Sequence, residues 1–134
     1  MAAGDLSMAA RLTVLAKENS RLRYRQIEDE HERRQERWRR KVNQAFEDAK
    51  LLVGCAFATL DYTRQDAPLS ERRWTAAVAL LRVAGLTPKR GQLRIRAISP
   101  ETAAGKLALA RDRAIAHPEL LNMHLPSSRR LATP

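Results

Sequence analysis

Between Asp5 and Val53 the chain contains neither glycine nor proline, a stretch far longer than the usual globular helix. Its apolar positions come in two runs. Leu12, Leu15, Asn19 and Leu22 repeat at 3-4-3 spacing, which describes a coiled-coil seam with an asparagine in it. The seam lapses and then resumes with Trp38, Val42, Ala45, Ala49, Leu52 and Ala56 at 4-3-4-3-4. Between the runs, residues 28–41 are almost wholly charged. Asp29–Arg33, Glu30–Arg34 and Glu36–Arg40 are i,i+4 pairs with the acid first, the favourable order, so together they can carry a solvated helix across the gap. That stretch reads as a solvated helix face or as a binding arm. The pattern predicts one long helix ending near Tyr62, before the loop-like residues 63–68.

A second helix is predicted from Ser70. Ser70 can cap it, and Leu69 and Trp74 occupy the two positions of a hydrophobic staple. Trp74, Ala77, Val78, Leu81 and Ala84 make its apolar stripe, and Gly85 supplies a left-handed end. The segment Thr87-Pro88-Lys89-Arg90-Gly91-Gln92 is a turn. From Leu93 to Ile98 apolar and cationic residues alternate, with Leu93, Ile95 and Ala97 on one side and Gln92, Arg94 and Arg96 on the other, as in a half-buried strand. Ser99-Pro100-Glu101 starts a last long helix carrying Leu107, Leu109 and Ile115. This helix should stop before Pro118. Residues 118–125 can add a short turn, and 126–134 read as a tail.

Composition narrows what this architecture can do. The chain has 134 residues, of which 44% are apolar, 30% charged and 4% aromatic, enough for one modest core of Leu, Ala and Val. The net charge is +10, with a sequence pI near 11.0. Such a surplus favours polyanionic partners, because releasing phosphate counterions gives affinity without a shaped pocket. The surplus is uneven. Residues 1–61 hold 12 Lys and Arg against 10 Asp and Glu, and residues 62–134 hold 13 against five. Arginine outnumbers lysine 20 to five, which suits phosphate and guanine recognition but also follows from a GC-rich genome.

Candidate chemistry is sparse. Cys55 stands alone inside an apolar run and reads as a buried structural thiol, with no disulfide or Cys-based zinc site open to it within one chain. His31, His117 and His124 lack carboxylate or thiol neighbours at metal-ligand spacing. Residues 85–91 do not have the P-loop pattern, and Ser70 has no base near it in sequence. The chain therefore reads as a non-enzyme, with no cofactor and no small-molecule substrate. The start Met-Ala-Ala-Gly-Asp lacks a signal-peptide pattern, and the apolar run from Leu51 to Leu60 is about half the length of a membrane span. A cytoplasmic, nucleoid-associated chain without membrane contact is the expectation.

The segment from Leu69 to Ala116 joins a capped helix, the exit Ala84-Gly85-Leu86, a basic turn, an arginine-bearing strand and a helix. This resembles the later part of a winged-helix DNA-binding domain. It departs from that pattern in having no separate second helix before Ser70, unless residues 46–60 take that role. The resemblance implies that Arg72, Thr75, Ala79 and Arg82, with Arg73 beside them, face the major groove. It also implies that Lys89, Arg90, Arg94 and Arg96 form a wing against phosphates or the minor groove. Without it, Arg94 and Arg96 are two charges facing water on an edge strand, where they also discourage aggregation.

The expected fold is mainly α: a long N-terminal helix with a coiled-coil seam, then a small winged-helix-like helical domain with one β-hairpin. The expected division is an arm over 1–40, a compact domain over 41–125 and a tail over 126–134. The expected function is a sequence-specific or semi-specific DNA-binding accessory or regulatory protein, in transcription or in replication and partition of a bacterial, plasmid or phage genome. It would act on duplex DNA, as a homodimer or with a protein partner engaged through Leu12, Leu15, Asn19 and Leu22. A helical adaptor bound to a protein through its N-terminal helix is the second expectation, and RNA binding the third.

Overall fold

The computed structural model describes the backbone of residues 2–96, 98–127 and 130, with side chains from Met8 onward. Ala97 and most of the predicted tail lie outside the described residues. In order, the elements are α1 (Ala2–Thr59), β1 (Tyr62–Thr63), a 3-10 turn (Arg64–Asp66), α2 (Glu71–Val83), β2 (Gln92–Leu93), α3 (Pro100–Ala116) and α4 (Pro118–Asn122). The molecule is mainly helical, with one small antiparallel β pairing, as the hydrophobic periodicity predicts. Two compact units divide it, Met1–Glu36 and Arg37–Pro134. No helix among the described residues is long and apolar enough to cross a membrane.

In the first unit α1 is a solvated helix. Every described side chain from Met8 to Glu36 is exposed, and Arg34 pairs loosely with Glu30 one turn before it, at 3.8 Å.

The second unit begins at Arg37, four residues before the expected boundary, and the reason is Trp38. Its indole is 2% exposed, and Nε1 donates to the Ala114 carbonyl at 2.8 Å, tying α1 to the last turn of α3. The resumed seam of Trp38, Val42, Ala45, Ala49, Leu52 and Ala56 is buried throughout. Three of its six residues are alanines, which lets neighbouring elements approach α1 closely. α1 ends where Leu60 takes a left-handed conformation, φ 64°, a role usually given to glycine.

The local signals at α2 are realised in detail. The Ser70 hydroxyl accepts from the Arg73 amide, and Leu69 and Trp74 are both buried. At the other end the Leu86 amide donates to the Leu81 carbonyl and the Gly85 amide to that of Arg82, at 2.8 and 3.0 Å, with Gly85 at φ 77°. This is a Schellman motif, and buried Leu86 and Leu81 supply its apolar pair. α3 starts with the Ser99 hydroxyl accepting from the Thr102 amide, with Pro100 in the first turn.

Packing corrects two details. Ala79, expected on the open face of α2, is fully buried, as are Leu80 and Leu81. Both α3 and α4 pack on α2, so its C-terminal half is an interior helix rather than an open one. Leu109, expected to carry the apolar face of α3, is instead exposed, and Ala103, Leu107, Ala110 and Ala114 form that face.

Candidate nucleic-acid interface

The turn predicted from Thr87 onward is a tight reversal. The Lys89 and Gln92 amides and carbonyls exchange hydrogen bonds at 2.9 Å in both directions. The two residues between them, Arg90 and Gly91, have φ 51° and 74°. Two positive φ values mark a type I′ turn, whose twist matches the strands it joins and which glycine or asparagine fills most easily. Arg90 takes the first position despite its Cβ and is exposed there.

Beyond the turn the alternation holds as far as the described residues run. Leu93 and Ile95 are buried, at 1% and 3% exposure, while Arg94 and Arg96 are exposed. The strand is shorter than predicted: only Gln92 and Leu93 pair, antiparallel with Thr63 and Tyr62. Its partner thus lies on the far side of α2 in sequence. The β1–β2 register also carries Arg64, just past β1, toward the turn. Nothing local in residues 62–66 announces a strand; only the pairing sets half-buried Arg64 at the turn end of the β1–β2 ladder.

The remaining predicted residues fall elsewhere. Arg72 is exposed at the start of α2, and Arg82 is exposed near its end. Thr75 is half-buried, with its hydroxyl donating to the Glu71 carbonyl at 2.8 Å. Arg72, Arg73 and Thr75 line a shallow apolar groove with Lys41, Gln44 and Leu125.

Arg73 is already engaged. Its Nε donates to Asp48 Oδ2 at 3.0 Å and its Nη2 to Asp48 Oδ1 at 2.6 Å, a bidentate pair on a carboxylate that is almost fully buried. The bond to Asp48, and then its charge, raise the guanidinium above its ordinary value. Arg73, expected at the interface, is thus half-exposed and tied by this pair to α1. Arg94 is partly compensated: Nε lies 3.7 Å from Asp61 Oδ2, and Nη2 donates to Gln92 Oε1. Asp61 Oδ1 is buried with no partner among the described residues. Arg72, Arg82, Lys89, Arg90 and Arg96 are exposed and have no acidic partner among the described residues.

The unit boundaries sharpen the charge asymmetry. Residues 1–36 hold seven Lys and Arg against seven Asp and Glu; residues 37–134 hold 18 against eight. The entire surplus of ten therefore belongs to the second unit.

Other candidate chemistry stays dispersed. His31 contacts Gln35 one turn away, and His117 Nδ1 lies 3.4 Å from Glu119. No group of three His, Cys, Asp or Glu side chains gathers among the described residues. Cys55 is half-buried rather than fully enclosed. It lies against Tyr62, whose phenol is pushed up by burial first and by the thiol second. The four oligomerisation candidates all lie on the solvated first unit. No family model, curated protein or solved structure matches the chain.

Proposed function

We propose that residues 37–134 form a duplex-DNA-binding module that grips the phosphate backbone through the Lys89–Gln92 turn and the arginines around it. The contact set is Lys89, Arg90, Arg94 and Arg96, to which Arg64, just past the turn end of β1, is added. Arg72 and Arg82 extend it at the two ends of α2. The observation that carries this reading is the type I′ turn: a tight reversal sets Lys89 and Arg90 at its end, and the segment leaving it buries Leu93 and Ile95 while Arg94 and Arg96 are exposed. Of these two outward cations Asp61 lies 3.7 Å from Arg94 alone, which leaves Arg96 to be covered by an external anion. A hairpin of this kind fits against a DNA backbone or into a groove.

Burial of Ala79 and Leu80 shapes the proposed mode. The middle of α2 cannot offer a row of side chains to base edges, so the contact is dominated by phosphates and is weakly sequence-selective. The resemblance to a winged helix is accordingly carried by the hairpin more than by the helix. An accessory or regulatory protein acting on a genome needs no more than this from its DNA-binding part.

The test is a salt titration of binding to random-sequence duplex DNA, followed by fluorescence polarisation. Wild type should show a steep log–log dependence, each phosphate contact contributing a slope of about −0.9. Arg94→Glu combined with Arg96→Glu should weaken binding at least about tenfold and flatten that slope. Unchanged affinity would remove the hairpin from the interface. Tighter binding to single-stranded or duplex RNA at equal salt would redirect the assignment.

A further inference from the structure

The first unit leaves an unpartnered surface that its own charges describe. Met8, Leu12, Leu15 and Leu22 are each more than half exposed. Met8 lies four residues before Leu12 and so lengthens the seam, which then runs Met8, Leu12, Leu15, Asn19, Leu22 at 4-3-4-3 spacing. A helix carrying such a row in water is marginal by itself. The unit holds equal numbers of acids and bases, so a polyanion is not what would cover it.

We propose that residues 8–30 pair with the same residues of a second copy of the chain, as a parallel, in-register, two-stranded coiled coil. In heptad terms Leu12, Asn19 and Gln26 occupy a, and Met8, Leu15 and Leu22 occupy d. The positions flanking the seam then specify the partner. In a parallel, in-register pair each g residue faces the e residue five places further along the other helix. Glu18 at g meets the partner's Arg23 at e, and Arg25 at g meets the partner's Glu30 at e. Both pairs are of opposite sign, and the twofold axis repeats each of them.

Asn19 supports the same orientation and the same number of strands. Only in the parallel register do the two Asn19 amides lie in one layer, where each can hydrogen-bond the other. In an antiparallel pair an a residue packs level with a d residue, which would set each amide against an apolar side chain without a partner. A single asparagine at a is also the device that favours two strands over three. Beyond Gln26 the seam positions are Asp29, Arg33 and Glu36, and the apolar contact ends there. The pairing is therefore short, and its dissociation constant should lie on the order of micromolar.

This inference stands apart from the DNA reading, since it uses no residue of the second unit. The experiment is sedimentation equilibrium of the full chain across micromolar concentrations. Circular dichroism and tryptophan fluorescence should show that each variant keeps the core, which contains none of the positions 15, 18, 19, 22 and 23; Cys55 packs against it, so Cys55→Ser alone is measured beside the cross-linking variant. The chain is expected to dimerise, and Leu15→Asp with Leu22→Asp to raise the dissociation constant more than about a hundredfold. Glu18→Arg should weaken the dimer about three- to tenfold, and adding Arg23→Glu should restore it. In a Cys55→Ser background, Asn19→Cys should form an intermolecular disulfide on mild oxidation, because only the parallel register brings the two positions within bridging distance. A chain monomeric throughout, a trimer, a dimer indifferent to the Asp substitutions, or a dimer that fails to cross-link at position 19 would each overturn the proposal. DNA affinity measured on the same monomeric variant reports separately on the hairpin, so the two readings can fail independently.

Discussion

Arg73 on α2 and Asp48 on α1 lie 25 residues apart and meet as a two-point ion pair, with the carboxylate buried and the guanidinium half-exposed. Gln44 Nε2 also donates to Asp48 Oδ1 at 3.0 Å. The pair joins two helices that the sequence separates by a loop, and it sets an anion against one of the cations of α2.

Breaking that pair from the arginine side should cost more than softening it from the acid side. Arg73→Ala leaves Asp48 buried with only Gln44 as a side-chain donor. Because the arginine is half in water, the loss is expected to exceed that of Asp48→Asn yet to fall well short of the full cost of an orphaned interior charge. Asp48→Asn keeps an acceptor and should cost about 1 kcal/mol. Urea midpoints of the two variants check the order. DNA affinity of folded Arg73→Ala should match wild type, since its charge is not offered to the ligand.

Asp61 restrains Arg94 and places a negative charge beside the proposed contact set. Asp61→Asn is expected to tighten binding to random duplex about threefold at low salt, with the gain fading as ionic strength rises. Polarisation titrations at two salt concentrations would show it. Weaker binding in the variant would mean that Asp61 positions Arg94 rather than competing for it.

Two left-handed residues give a way to separate fold from binding. Leu60→Gly relieves the φ 64° conformation and should stabilise the protein by up to about 1 kcal/mol, leaving DNA affinity unchanged. Arg90→Asn suits the φ 51° position equally well, yet it removes a tip cation. It should raise the thermal midpoint slightly while lowering the salt slope by about one unit. Gly91→Ala, at φ 74°, should destabilise the turn by about 1–2 kcal/mol.

Stability should decline at both pH extremes for identifiable reasons. Burial, with Cys55 and then Asp66 nearby, raises the Tyr62 phenol above 10.0. Its contribution is therefore whole below the unfolded value and is lost as pH climbs through the folded one. The Thr63 hydroxyl and amide, both donating to Oδ2, lower Asp66 below 3.8. That contribution is present above the unfolded value and is lost as pH falls through the folded one. Tyr62→Phe should flatten the alkaline limb, and Thr63→Ala, which removes the hydroxyl that does most to lower Asp66, should flatten the acid limb. Denaturant midpoints measured across pH test both.

Much of this fold was legible because its signals are local. The Trp38–Ala56 seam needs only a period, the ends of α2 need only Ser70 and Gly85, and the turn needs Gly91. What was hidden depends on neighbours remote in sequence. Ala79 is buried because α3 and α4 reach around α2, and no property of Ala79 announces that. Leu109 is exposed because the small residues Ala103 and Ala110 let Leu107 carry the contact. Arg73 and Arg72 are adjacent and chemically identical, yet only one faces Asp48. The cationic character of residues 89–96 was plain, whereas Arg64 could join them only through the Tyr62–Leu93 register.

That register has a kinetic meaning. β1 and β2 can pair only after the intervening chain, α2 included, has closed its ends together, a loop-closure step that contributes no ladder hydrogen bonds until it is complete. With just two residues in each strand, the ladder gains little once formed. It should be among the last parts of the second unit to assemble and the first to open, so amide exchange at Gln92 and Leu93 should outpace that in α2 and α3. A surface meant to grip an irregular polymer would then be mounted on a hinge that breathes, beside a helical interior that does not.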